Sequence, residues 1–203
     1  MYPLTVRLEG KRVVVIGGGR VASFKIAPLL RAGADVIVIS KELDVRLVQF
    51  AERGKIRWLQ KEYERSDIFG AFLVVAATND SKLNEQIADD AESNQLVNVI
   101  TNPEGGNVHF PAAIHRGKLN IAVSTGGASP KLAKKIRDQI AQQYNEHYEE
   151  YLQFLYEVRL KVKGLKREKK QAILQEVLDV VYIESESHRQ HFLQSLDEIL
   201  LIE

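Results

Sequence analysis

The chain of 203 residues has no cysteine, a single tryptophan and a single methionine, and its formal net charge is only +1. Without cysteine there is no disulfide, thiol nucleophile or thiolate metal site, which fits a reducing compartment. The balanced charge indicates no nucleic-acid partner. No apolar run approaches the roughly 18 residues that a membrane span needs, and the N-terminus has no signal-peptide pattern. These absences favour a cytoplasmic protein without a membrane partner.

Short apolar runs alternate with helical segments along most of the chain. The runs that predict strands lie at residues 13–16, 36–39, 56–59, 72–76, 97–100 and 119–123. Apolar residues recur at helical spacing over 22–32 and 80–91, and from residue 144 onward the pattern is helical with a break at Gly164. This order predicts an α/β fold, a Rossmann-type parallel sheet followed by a helical C-terminal region.

A glycine-rich turn follows the first predicted strand. Gly17 and Gly19 begin the pattern G-x-G-x-x-G/A, which Ala22 completes. In this pattern the first glycine makes the turn, the second admits a pyrophosphate, and the helix N-terminus stabilises that anion. A glycine turn without a ligand is the alternative, which the preceding strand and following helix disfavour. We therefore predict a dinucleotide site that includes Gly17, Gly19, Arg20 and Val21.

The second predicted strand lacks the acidic residue that usually bonds the adenosine ribose. Its end is Ile39-Ser40-Lys41-Glu42, so Ser40 or a backbone group must substitute, and Ser40, Lys41 and Glu42 are predicted to flank the cofactor. Lys41 would pair with the 2′-phosphate of NADP, or it is an ordinary surface lysine. These residues by themselves leave NAD and NADP open.

Small and polar residues end the fourth predicted strand, where open α/β sheets bind their ligands. Thr78 and Asn79 are the candidates for cofactor contacts there, and capping of the next helix is the alternative role for either residue. Farther along, Ser129 and Pro130 suit the N-cap and first position of a helix.

Several motifs in order resemble the precorrin-2 dehydrogenase/sirohydrochlorin ferrochelatase family, the siroheme-forming module that occurs alone or fused to a methyltransferase. They are the glycine turn with Lys25, Ala76-Ala77-Thr78-Asn79-Asp80, Val97-Asn98-Val99, Phe110-Pro111-Ala112 and Ile121-Ala122-Val123-Ser124-Thr125-Gly126-Gly127-Ala128-Ser129-Pro130. They fall within residues 1–140, and the tail resembles the family's C-terminal region only in kind.

The resemblance implies an NAD-dependent enzyme that oxidises precorrin-2, a tetrapyrrole, to sirohydrochlorin. It also implies an intertwined homodimer whose substrate cleft lies between the nucleotide domain and the partner subunit. On this basis we expect an NAD-binding Rossmann domain at 1–112, a dimerisation and substrate-loop region at 113–143, and a helical domain at 144–203.

One position departs from the bifunctional members of the family. These carry an aspartate two residues before the proline of an Asn-Val-Val-Asp-x-Pro motif, and that carboxylate is implicated in chemistry on the macrocycle. Here the position is Thr101, ahead of Pro103. We therefore predict a dehydrogenase without efficient ferrochelatase activity. The alternatives are a bifunctional dehydrogenase-ferrochelatase and an NAD(H)-sensing regulatory module.

Hydride transfer to NAD also requires a route for a proton. Near the expected cleft, Glu104, His109 and His115 are candidates, and each has a purely structural alternative. Ser124 is the substrate-side candidate, because its loop offers hydroxyls and amides to a polycarboxylate. Basic residues follow in the sequence, either as carboxylate partners or as a solvated face: Lys131, Lys134, Lys135 and Arg137.

The histidines give no convincing metal site. The chain has five, and only His188 and His191 have a close spacing. We therefore predict no bound metal.

Overall fold

The computed structural model describes residues 1–201, and the chain divides into two compact units, Met1–Phe110 and a second that begins at Pro111. The first unit contains a five-stranded parallel sheet in the order β3-β2-β1-β4-β5. Its strands are β1 (Arg12–Ile16), β2 (Asp35–Ile39), β3 (Arg57–Leu59), β4 (Leu73–Ala76) and β5 (Leu96–Val99). Its helices are α1 (Arg20–Arg31), α2 (Val45–Glu52) and α3 (Ser81–Asp90). The predicted Rossmann-type sheet is confirmed.

Continuous runs of valine and isoleucine form the central strands because both faces of this sheet are covered. Along β1, Val13 and Val15 join the hydrophobic cluster that α1 and α2 complete, and Val14 joins the opposite cluster with Ile87 of α3. The strands are in register at their carboxyl ends, where Ile16 pairs with Ile39 and with Ala76. The loops after β1, β2 and β4 therefore share one edge, and the strand order reverses at β1.

The ends of the helices follow local chemistry. Gly33 has φ +75°, the left-handed conformation that ends α1, as the sequence predicted. The N-cap of α3 is Asp80, whose carboxylate accepts from the amides of Lys82 (2.9 Å) and Leu83 (3.2 Å). Capping by Thr78 or Asn79 is therefore wrong, because the helix begins at Ser81 and its N-cap is Asp80.

The second unit contains an antiparallel hairpin and five helices among its described residues. They are β6 (Ala112–Arg116), β7 (Leu119–Val123), α4 (Pro130–Gln143), α5 (His147–Lys161), α6 (Arg167–Glu176), α7 (Val181–Glu184) and α8 (Glu186–Leu201). Ser129 caps α4 by accepting from the Leu132 amide (3.2 Å), as predicted. Strand β6 was not predicted from the sequence.

Burial within the second unit is uneven. The long helices enclose a core with Phe154 at its centre, packed against Tyr182 (ring centroids 5.4 Å apart) and Phe192 (5.8 Å). The hairpin and α4 fully bury only Ile114 and Ala133. The three-part division of the chain stays a prediction. Within residues 1–201, no helix has both the length and the apolar character needed to cross a bilayer.

Candidate active site

A cleft of about 890 Å³ opens along the carboxyl edge of the parallel sheet in the first unit. Loops that follow β1, β2, β3 and β4 form its walls. The cleft brings together all nine residues that the sequence predicted for cofactor contact: Gly17, Gly19, Arg20, Val21, Ser40, Lys41, Glu42, Thr78 and Asn79. It also includes residues from the segment after β3, among them Glu62 and Tyr63, which the sequence did not indicate.

Different structural requirements apply at the three glycines of the turn after β1. Gly17 has φ +111°, and a β-carbon there would lie 2.3 Å from the Ala77 carbonyl oxygen. A β-carbon on Gly18 would lie 2.1 Å from the carbonyl oxygen of Glu42. A β-carbon on Gly19 would meet nothing within 4 Å, and Gly19 gives α1 no side-chain cap. This uncapped helix N-terminus beside open space suits a pyrophosphate.

The end of β2 presents an ion pair to the cleft. The ammonium of Lys41 lies 2.6 Å from a carboxylate oxygen of Glu62, and both side chains are exposed. The hydrogen bond and the charge of Glu62 raise the pKa of Lys41, and Lys41 lowers the pKa of Glu62 in return. Ser40 differs from its neighbour, because its hydroxyl oxygen is buried and has no hydrogen-bond partner among the described residues. The Ser40 side chain therefore lines the cleft, but its hydroxyl is not exposed there to form a hydrogen bond with a ligand.

A buried asparagine organises the loops after β4 and β5. The amide and the hydroxyl of Thr78 both donate to the side-chain oxygen of Asn84 (3.1 and 2.7 Å). The side-chain nitrogen of Asn84 donates to the Thr78 carbonyl oxygen (3.1 Å) and to the Thr101 hydroxyl (3.2 Å). Asn84 was missed by the sequence reasoning, although an asparagine between the apolar positions Leu83 and Ile87 of an amphipathic helix is a usable signal.

Glu104 and His109 lie in the first unit, after β5. Asn102 accepts from the Glu104 amide (3.0 Å) and so caps a short turn, and Glu104 is exposed. The Nε2–H of His109 donates to the Pro103 carbonyl oxygen (2.7 Å), since a carbonyl oxygen only accepts. In the neutral ring, the proton-accepting lone pair of His109 is therefore on Nδ1.

Ser124 and His115 lie in the second unit. The Ser124 hydroxyl accepts from the Gly126 amide (3.2 Å), which holds the start of the loop before α4. His115 pairs across the hairpin with Asn120 and donates from Nδ1 to its side-chain oxygen, which favours the structural role for this histidine. Among the basic residues of α4, Arg137 is paired with Asp138 (2.7 Å), and Lys131, Lys134 and Lys135 are exposed.

No group of three or more histidine, aspartate or glutamate side chains within residues 1–201 is arranged to hold a metal ion.

Comparison with known families covers the chain in three parts. A family of NAD(P)-binding domains matches residues 4–112, the family described as sirohaem biosynthesis protein central matches residues 116–143, and the SirC C-terminal domain matches residues 148–192. The tail thus matches a family model, which its helical spacing alone did not reveal.

Individual relatives match over most of their length. The precorrin-2 dehydrogenase of Priestia megaterium is 34% identical over 98% of this chain and 99% of its own length. The precorrin-2 dehydrogenase of Bacillus subtilis is 35% identical over 79% of this chain and 99% of its own. The solved structure of SirC, precorrin-2 dehydrogenase, superposes with a TM-score of 0.84 at 33% identity over 98% of this chain and all of that one. The chain therefore belongs to the precorrin-2 dehydrogenase family.

Proposed function

We propose that this protein is an NAD-dependent dehydrogenase that oxidises precorrin-2 to sirohydrochlorin in siroheme biosynthesis. The observation that carries the proposal is the glycine-lined cleft of the first unit, in a chain similar from end to end to precorrin-2 dehydrogenases. Bound NAD supplies the hydride acceptor. What the protein must then supply is binding, orientation and a route for the remaining proton.

The residues divide these tasks between them. The first amides of α1 would hold the pyrophosphate, and Gly19 keeps the approach to them free of a side chain. Thr78, held by Asn84, forms the wall at the β4 end of the cleft. We assign the remaining proton to Nδ1 of His109 or to the exposed carboxylate of Glu104, which follow β5 and do not line the nucleotide cleft.

Precorrin-2 carries many carboxylates, so the enzyme needs donors that face its substrate. We assign Ser124 to this task, supported by the exposed loop before α4 and the exposed lysines on that helix. A hydroxyl and ammonium groups bind carboxylates through charge-assisted hydrogen bonds.

We also propose that ferrochelatase activity is inefficient or absent. Thr101 has a neutral hydroxyl that accepts a hydrogen bond from Asn84. A neutral hydroxyl neither accepts a macrocycle proton as a carboxylate does nor attracts Fe²⁺ in the same way.

One assay tests the reaction and its alternatives. The protein is mixed anaerobically with precorrin-2 and NAD, NADH is followed by absorbance, and Co²⁺ or Fe²⁺ is then added to the product. We expect NADH to form and metal insertion to stay at the uncatalysed rate. Metal insertion well above that rate would identify the bifunctional enzyme, and NADH binding without turnover would identify a sensor.

A homodimer through residues 113–143 completes the proposal. Two strands and one helix that bury only Ile114 and Ala133 are too little for a stable core, while Leu132 is 48% exposed. A second copy would cover Leu132 and the half-buried residues of the hairpin. Light scattering should give twice the mass of 23.0 kDa, and Leu132→Asp should lower it to the monomer's. A monomeric parent protein would contradict this part of the proposal.

A further inference from the structure

Hydrogen bonds join the loops after β2 and β3 at one end of the cleft. The amide of Ser40 donates to the Leu59 carbonyl oxygen (3.3 Å), and the indole N–H of Trp58 donates to the Ser40 carbonyl oxygen (3.0 Å). The side-chain amide of Gln60 donates to the Lys41 carbonyl oxygen (3.2 Å). Rossmann domains recognise the adenosine ribose at the end of β2. Because these hydrogen bonds hold the segment after β3 against that end, the segment is part of the surface that faces the ribose.

The end of β2 lacks an acceptor for the ribose hydroxyls. Its last residue before the loop is Ile39, and the hydroxyl of Ser40 is buried against Gly18, where a β-carbon would lie 2.5 Å from that oxygen. The next side chain, Lys41, is a cation and can only donate. The carboxylates that line the cleft beyond this point are those of Glu42, next in the loop after β2, and Glu62, in the segment after β3.

Of these two carboxylates, Glu62 is the one that is paired with the cation at the end of β2. It lines the cleft and binds the Lys41 ammonium at 2.6 Å. The other lysine at this end of the cleft, Lys61, is paired with Glu64 (3.2 Å) and Asp67 (3.1 Å). Both lysines that a 2′-phosphate would meet here are thus already paired with carboxylates.

We infer that Glu62 makes the site selective for NAD over NADP by accepting a hydrogen bond from the ribose 2′-hydroxyl and by holding the Lys41 ammonium. A 2′-phosphate is a dianion at neutral pH, so the same carboxylate repels it. This inference rests on the proposed binding of a dinucleotide in the cleft. A residue after β3 thus discriminates between the two cofactors, a task that an acid at the end of β2 usually performs.

Calorimetric titration of the full-length protein with NAD and with NADP, without precorrin-2, tests the inference. We expect the parent protein to bind NAD at least about tenfold more tightly than NADP. In Glu62→Gln, NADP binding should tighten by about tenfold and NAD binding should weaken. Adding Lys41→Ala to that variant should remove the gain for NADP, and raising the salt concentration should shrink it, because the gain is an attraction between charges.

Glu64→Gln is the matched control, since Glu64 binds Lys61 and does not line the cleft. It should leave the ratio of the two affinities unchanged. An unchanged ratio in Glu62→Gln overturns the inference, and so does a shifted ratio in Glu42→Gln with none in Glu62→Gln.

The titration also separates this inference from the proposed function. A parent protein that binds neither nucleotide contradicts both. A parent protein that binds NAD and fails to oxidise precorrin-2 contradicts the reaction alone, and the affinity ratios then still decide the role of Glu62.

Discussion

Single residues of the turn after β1 carry separable tasks. Gly17 needs its left-handed backbone and the space beside Ala77, so it serves the fold. Gly19 has an ordinary φ of −83° and open space around it, so it serves the ligand. Substitution by alanine at each position should therefore affect two different quantities, the free energy of unfolding at Gly17 and the affinity for NAD at Gly19.

Gly17→Ala should lower the free energy of unfolding by about 2 kcal/mol or more, from backbone strain and the clash with the Ala77 carbonyl. Gly19→Ala should change it by no more than about 0.5 kcal/mol and weaken NAD binding by at least about tenfold, because the methyl group enters the pyrophosphate site. Urea denaturation and NAD titration measure the two effects. Unweakened NAD binding in Gly19→Ala would contradict the placement of the pyrophosphate.

Ser124→Ala should lower the rate of precorrin-2 oxidation by about tenfold, since a hydrogen bond to a charged group contributes about 1.5–3 kcal/mol. NAD affinity should stay unchanged. Ser124→Thr keeps the hydroxyl that accepts from the Gly126 amide and should retain most of the activity. Equal rates for the alanine variant and the parent protein would remove Ser124 from the active site.

At the scale of secondary-structure elements, Asn84 joins α3 to the loops after β4 and β5. It is fully buried and uses both polar atoms of its side chain. Asn84→Ala should lower the free energy of unfolding by about 2–3 kcal/mol, because buried donors and acceptors lose their partners. NAD binding should also weaken, because Thr78 is no longer held.

Asn94→Ala is the control for this variant, since Asn94 is exposed in the loop before β5. Urea denaturation should show a change of no more than about 0.5 kcal/mol. A similar loss in both variants would mean that the hydrogen bonds of Asn84 contribute little.

The elements that the sequence predicted are those with strong periodic patterns. The buried strands β1, β2 and β4 and the helical tail were predicted from apolar spacing, and the cofactor residues from the glycine pattern and strand ends. Strand β6 was missed because its residues, Ala-Ala-Ile-His-Arg, fully bury only Ile114 and show no clear alternation. The pair between Lys41 and Glu62 was missed because it depends on the adjacency of β2 and β3, which local patterns do not contain.

At the scale of the whole molecule, both units contain tyrosines whose burial raises their pKa. They are Tyr63 in the first unit and Tyr151 and Tyr182 in the second. In the folded protein these phenols stay protonated to a higher pH than in the unfolded chain, where the tyrosine pKa is 10.0. Their contribution to the free energy of unfolding is therefore fully present below pH 10 and is lost as the pH rises from there through the folded-state pKa. We therefore expect the free energy of unfolding to fall progressively above pH 10.

Tyr151→Phe isolates one of these groups. The Tyr151 hydroxyl donates to the Val177 carbonyl oxygen (2.9 Å), so the variant should lose about 0.5–1.5 kcal/mol at pH 7 and show a shallower alkaline decline. Tyr2→Phe, which changes an 83% exposed tyrosine, should match the parent protein at every pH. An identical alkaline slope in Tyr151→Phe and the parent protein would contradict the role of burial.

Trp58, whose indole N–H bonds to the Ser40 carbonyl oxygen at the edge of the cleft, is the chain's one tryptophan. The emission of Trp58 overlaps the absorption band of a reduced nicotinamide. Bound NADH should therefore quench the tryptophan emission by energy transfer and fluoresce itself. Every molecule thus contains one donor at one known position. Cofactor exchange during turnover can be followed by stopped-flow mixing, without a label and without engineering the protein.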